Sequence, residues 1–61
     1  MNTTPFYYLH DGTTYRIDAD SYQDAACIAV QTFGAFIVGN LSRQPQSEPV
    51  ALEAYLRRVA A

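Results

Sequence analysis

The 61-residue chain carries four arginines, no lysine and six acidic residues, for a net charge of −2. A chain of this length forms a single domain, residues 1–61, whose core contributes only about 3–5 kcal/mol of net stability. One cysteine and one histidine exclude an internal disulfide and a Cys/His zinc site built from one chain. Close packing or self-association must therefore stabilise the fold.

Residues 5–10 are rich in aromatic side chains and predict a first strand, and residues 13–19 alternate as a second. Between them, Asp11-Gly12 favours a two-residue type I′ turn and hence a hairpin. This register places Phe6, Tyr8, Tyr15 and Ile17 on one face, which we expect to form the core. The other face, called the outer face below, carries Pro5, Tyr7, Leu9, Thr14, Arg16 and Asp18.

A helix is predicted to begin at Ser21. Ser21 and Asp24 have the spacing of a capping box, Asp20 and Asp24 suit a helix N-terminus, and Gly34 is placed to end the helix. The apolar stripe expected to face the sheet is Tyr22, Ala25, Ala26, Ala29, Val30 and Phe33. The face pattern therefore adds Tyr22 and Phe33 to the core, and we interpret Cys27 as a buried or half-buried small residue.

The second half of the chain gives weaker signals. Residues 35–41 favour a third strand, with a continued buried helix as the alternative, and residues 42–49 form a polar connector. A last helix is predicted from near Ser47, with Pro49 in its first turn. Its apolar stripe, which needs a partner surface on the domain or on a second copy, is Leu52, Tyr55, Leu56 and Val59.

The element order β-β-α-β-α predicts an α+β fold. We expect a small antiparallel three-stranded sheet packed by a helix, with an amphipathic C-terminal helix and one sheet face left open. The last helix, a second copy of the chain or a foreign partner would cover that face.

Catalysis, metal binding and nucleic-acid binding find little support in these residues. His10 lies beside Asp11, but no serine or cysteine motif completes a site for acid–base chemistry. The aspartates between residues 11 and 24 lack calcium-loop spacing. Four scattered arginines make no basic face for phosphates. We therefore predict no catalytic residues, no metal, no cofactor and no direct nucleic-acid contact.

No basic segment followed by an apolar one opens the sequence, so we expect no secretory leader. The longest apolar stretch, residues 25–38, is too short and interrupted to span a bilayer. A lone cysteine also suits a reducing compartment. We therefore expect a cytoplasmic protein without membrane contact.

The unusual features that remain are an acidic edge and exposed aromatic residues. Tyr and Arg are enriched at binding hot spots, and complementary charge speeds the encounter with a partner. The candidate partner-binding residues are Tyr7, Leu9, Arg16, Asp18, Asp20 and Asp24.

The segment TTYRIDADSYQDAACIA, residues 13–29, resembles a pattern of small bacterial and phage proteins, in which a hairpin and an acidic turn precede a helix. Antitoxins of the HicB type share it, but this chain lacks their Pro-Asp-Leu-Pro-Gly-Cys-like segment and is not assigned to them. In size and layout the chain resembles accessory proteins of phages and mobile elements, including anti-CRISPR inhibitors. That resemblance implies no particular residues.

The expected function is a non-enzymatic protein-binding module, of the kind of a phage-type, anti-CRISPR-like inhibitor that acts in the host bacterial cytoplasm if the chain is phage-encoded. It would block a bacterial protein or nucleoprotein complex by occupying a surface, such as a basic nucleic-acid-binding groove. The alternative is an antitoxin-like or small regulatory subunit that acts as a homodimer.

Overall fold

An aromatic-rich hairpin forms the centre of the sheet in the computed structural model, which describes residues 3–60. Strand β1 (Thr4–His10) pairs with β2 (Thr13–Ala19) in the predicted antiparallel register, with Tyr8 opposite Tyr15. Asp11 has a φ of 51° and Gly12 a φ of 79°. Because both central residues have positive φ, the turn is of the predicted type I′.

Two very short strands flank the hairpin and complete a four-stranded sheet of order β3-β1-β2-β4. Strand β3 (Leu41–Ser42) runs antiparallel to β1, and β4 (Val50–Ala51) runs parallel to β2. The fold is α+β and the order β-β-α-β-α is consistent with it, but the prediction of three antiparallel strands was wrong. Strands of two residues are too short to produce an alternating pattern in the sequence.

Helix α1 (Tyr22–Phe33) begins and ends where its capping residues predict. The Ser21 side chain accepts a hydrogen bond of 3.2 Å from the backbone N–H of Asp24. Gly34, with a φ of 80°, donates its backbone N–H to the Val30 carbonyl at 2.9 Å. At each end of the helix, one of the backbone groups that lack a partner within the helix is therefore hydrogen-bonded.

The stripe of α1 that contacts the sheet is narrower than predicted. Ala25 and Ala29 are buried, whereas Tyr22 is 42% exposed and Val30 and Cys27 are exposed. The placement of Tyr22 in the core and the burial of Cys27 were therefore wrong. The physical reason is that two small alanines bring α1 close to the sheet, so side chains farther around the helix lie outside the contact. The buried core cluster consists of Phe6, Tyr8, Ile17, Ala19, Ala25, Ala29 and Leu41.

Of residues 35–41, only Leu41 lies in a strand, and helix α1 does not continue into this segment. Residues 35–37, which have no regular secondary structure, lead into a short 3₁₀ helix, Val38–Asn40, and then into β3. The backbone N–H of Ile37 donates to the Tyr8 hydroxyl at 3.0 Å, and the Asn40 side-chain amide donates to the Leu9 carbonyl at 3.0 Å. These two bonds hold the segment along the edge of β1.

Helix α2 (Leu52–Ala60) begins later than predicted, because Val50 and Ala51 continue the sheet as β4. Tyr55 packs among aromatic rings on the same side of the sheet as α1. Its ring centroid lies 4.6 Å from that of Phe33 and 5.4 Å from that of Tyr15, and the His10 ring stacks on Phe33 at 4.4 Å. Helix α2 therefore does not cover the outer face. Within the residues that the structure describes, neither helix is long and apolar enough to cross a membrane.

The polar connector, residues 43–49, runs from one edge of the sheet to the other. Its contact with the outer face is a 2.8 Å hydrogen bond between the hydroxyls of Ser47 and Thr14, and Thr14 is only 2% exposed. The connector therefore covers the outer face near the hairpin turn.

Candidate partner-binding surface

Four of the six candidate residues lie together on the outer face of the sheet, as the hairpin register requires, and these are Tyr7, Leu9, Arg16 and Asp18. Tyr7 is opposite Arg16, and Tyr7 and Leu9 are half-buried while Arg16 and Asp18 are exposed. Nε of Arg16 lies 3.1 Å from Oδ1 of Asp18, with the two side chains 54% and 50% exposed. An ion pair this exposed contributes at most about 1 kcal/mol, so the Asp18 carboxylate stays accessible to another cation.

The three predicted acids gather at the far end of β2. Asp18, Asp20 and Asp24 line one shallow depression together with Ile28 of α1. The cause is local, because only Asp20 and Ser21 separate the end of β2 from the start of α1. Asp20 and Asp24 therefore lie beyond the end of β2, whereas Tyr7 and Leu9 lie on the neighbouring strand β1, on the outer face that Asp18 shares.

A groove that the sequence did not reveal lies beside these acids, between α1 and α2. We call it the inter-helix groove; its volume is about 430 Å³. Its apolar lining comes from β2, α1, β4 and α2, and it shares Asp18 and Ile28 with the acidic depression. The apolar lining residues are Ile17, Ile28, Ala51, Leu52 and Leu56, and the charged ones are Arg16, Asp18 and Glu53.

The groove exists because β4 is so short. Strand β4 pairs only with Tyr15 and Arg16 of β2, and the chain then turns into α2. Among residues 3–60, no strand pairs with the rest of β2 on that side. The only sequence signals for this site are the flanking position of Ile28 on α1 and the apolar stripe of α2.

The stripe of α2 is divided between core and surface. Leu52 packs against the core, and Tyr55 packs in the aromatic cluster. In contrast, Leu56 is 48% exposed and Val59 is 65% exposed. On this chain Leu56 and Val59 are therefore not covered, which leaves apolar side chains beside the inter-helix groove; whether a second copy covers them stays a prediction.

The electrostatics around the groove and the depression are negative. Four carboxylates and one guanidinium line the two features. Arg57 and Arg58 lie in the last turn of α2 and line neither of them. A partner that approaches this side therefore meets apolar side chains surrounded mainly by acids, which are Asp18, Asp20, Asp24 and Glu53.

The single histidine and the single cysteine are placed differently with respect to this surface. The His10 ring packs against both Phe33 and Tyr55 in the aromatic cluster, away from this surface. Cys27 is exposed at the acidic depression. In the described part of the chain, no three His, Cys, Asp or Glu residues are grouped so that they could hold a metal ion.

The sequence was compared with models of protein families and with curated proteins, and the structure with solved structures. None of the three comparisons gives a match.

Proposed function

We propose that this protein is a non-enzymatic protein-binding module that recognises a basic surface on another protein. The observation that carries the proposal is the set of carboxylates around exposed apolar side chains at the inter-helix groove. Apolar surface bordered by polar residues is typical of protein interaction sites. Acidic residues beside it select partners of opposite charge and speed their encounter.

A basic surface that normally holds nucleic acid is a suitable target. Such surfaces carry clustered Lys and Arg, which the carboxylates of this chain can pair with in place of phosphates. The proposed action is therefore inhibition by occupation of a nucleic-acid-binding groove, in the manner of a phage-encoded anti-CRISPR protein in the bacterial cytoplasm. Phosphates themselves would be repelled by the same acids, which argues against direct nucleic-acid binding.

The exposed half of the α2 stripe favours a second candidate function. Leu56 and Val59 present apolar surface that a second copy of the chain could cover, as expected of an antitoxin-like or small regulatory subunit. Sedimentation velocity at increasing protein concentration separates the two candidates. A dimer that Val59→Glu dissociates would favour the regulatory subunit, and a monomer throughout would favour the inhibitor.

Charge reversal tests the proposed function. Asp20→Arg combined with Asp24→Arg is expected to abolish capture of the partner from a bacterial lysate and its calorimetric binding once purified. The fold should survive, because the helix-capping bond uses the Ser21 side chain and the loss of the dipole interaction costs only about 0.3–1 kcal/mol per charge.

The matched control is Glu48→Arg, which reverses an exposed charge on the connector outside both the groove and the depression. We expect this variant to bind its partner nearly as well as the parent protein. Circular dichroism of each variant verifies folding. Full affinity of the folded Asp20→Arg/Asp24→Arg variant would contradict the proposal.

Tyr7→Ala tests whether the interface extends across the outer face. Tyr7 is half-buried next to the Arg16–Asp18 pair. If it is a hot spot, its truncation weakens binding by about 2 kcal/mol or more. Unchanged affinity measured by calorimetry would confine the interface to the side that contains the groove.

A further inference from the structure

We infer that the partner binds as an extended segment that adds a strand to the free edge of β2 beside the inter-helix groove. This inference rests on the proposed protein-binding function and specifies its geometry. The segment alternates apolar residues, which enter the groove, with basic residues, which face the carboxylates.

The hydrogen-bond pattern of the hairpin identifies the free edge. In a two-residue hairpin, His10 and Thr13 form the hydrogen-bonded pair that closes the turn, and such pairs alternate along the strands. Ile17 therefore exchanges bonds with β1, whereas the N–H and C=O groups of Asp18 point away from β1. Strand β4 ends its pairing at Arg16, so no strand in residues 3–60 reaches these groups of Asp18.

The backbone groups along the opposite edge of the hairpin, on β1, are paired or absent, unlike those of the free edge of β2. On β1, Tyr7 pairs with β3, the Leu9 carbonyl accepts a hydrogen bond from the Asn40 side chain, and Pro5 has no N–H to offer. Unpaired strand edges are templates for another strand, and proteins usually protect them. The free part of β2 is instead bordered by an apolar groove.

The pleat of the sheet sets the side-chain chemistry of the added segment. Its residues point alternately to the two faces of the sheet. On the face that carries α1 and α2 they meet Ile28, Leu52 and Leu56, which suits aliphatic side chains. On the outer face they meet the exposed carboxylate of Asp18, which suits Lys or Arg. Main-chain bonds supply affinity and these alternate contacts supply specificity.

The charges favour a foreign basic segment over a second copy of this chain. A symmetric pairing of two β2 edges brings the same surface of both copies together. Asp18 and its acidic neighbours would then face their own counterparts, and like charges on paired strands are destabilising. The occupant is therefore a basic, extended segment of a partner protein.

Peptide binding tests the inference directly. The probe is a capped heptapeptide of alternating arginine and valine, measured by calorimetry against the full chain. Two further peptides carry N-methyl groups on alternate residues, one on the arginines and one on the valines. Since only one edge of an added strand faces β2, one methylated peptide should lose about tenfold or more in affinity while the other binds like the parent.

The control peptide has the same composition with its valines and arginines in separate blocks, and it should bind more weakly because its side chains do not match the two faces. Equal affinities of the two methylated peptides, or no saturable binding of the alternating peptide, would overturn strand addition. A third outcome is that the parent protein binds the two methylated peptides equally while the Asp20→Arg/Asp24→Arg variant loses peptide binding. That outcome would support the acidic binding surface and overturn only the strand addition.

A pair of variants tests the same edge from the side of the protein. Asp18→Pro removes the outward N–H without breaking a bond to β1, because position 18 lies opposite Pro5 in a non-hydrogen-bonded pair. Asp18→Asn removes the charge and keeps the N–H. We expect Asp18→Pro to bind the alternating peptide several-fold more weakly than Asp18→Asn. Equal affinities in two folded variants would overturn the inference, and if Asp18→Pro does not fold, the methylated peptides decide.

Discussion

Substitution of Gly12 isolates the conformational strain of the hairpin turn from every packing effect. Gly12 has a φ of 79°, and a Cβ added there meets no atom within 4 Å. The expected cost of Gly12→Val is therefore that of holding a β-branched residue in the left-handed region, about 1–2 kcal/mol. For a domain with only about 3–5 kcal/mol of net stability, that loss is large.

The matched control is Gly39→Val, since a Cβ at position 39 also meets no atom within 4 Å and Gly39 does not have a positive φ. Urea unfolding followed by far-UV circular dichroism measures both variants. Thermal scans should show the Gly12 variant melting lower by about 4–8 °C for each 1 kcal/mol lost. Equal free energies of unfolding for the two variants would refute the assignment of a type I′ turn.

Two further pairs of variants probe α2 and the connector by the same unfolding measurements. Leu56→Ala should remain folded and lower the free energy of unfolding by about 1 kcal/mol, because half of the Leu56 side chain is already exposed. Leu52→Ala should lower it by about 2 kcal/mol or more, because the Leu52 side chain packs on the core. Equal losses in the two variants would contradict the placement of α2. Ser47→Ala should lower the free energy of unfolding by about 1–3 kcal/mol, because it leaves the buried Thr14 hydroxyl without its hydrogen-bond partner. Adding Thr14→Val should recover much of that loss, and the absence of any recovery would contradict the role of this hydrogen bond.

The outer half of the α2 stripe shows why amphipathicity alone does not establish burial. Leu52, Tyr55, Leu56 and Val59 have the same helical spacing, yet only the first two contact the core. Periodicity predicts which side chains share a face of a helix. It does not predict how far along its length the helix rests on the sheet.

The candidate site likewise has one part that the sequence predicts and one part that it does not. Asp18, Asp20 and Asp24 were predictable neighbours, because a strand end and a helix start joined by two residues must lie close together. The inter-helix groove was not predictable, because it depends on where β4 stops and on how α2 leaves the sheet. Both are set by contacts between segments that are more than thirty residues apart in sequence.

Local signals in the sequence determined the hairpin and α1. Asp11-Gly12 adopts positive φ at little cost, strand alternation sets the register, and Ser21 and Gly34 satisfy backbone groups at the ends of the helix. Tertiary structure alone decided β3, β4 and the start of α2. Two-residue strands have no intrinsic preference strong enough to form alone, so their existence depends on pairing with a hairpin that has already formed.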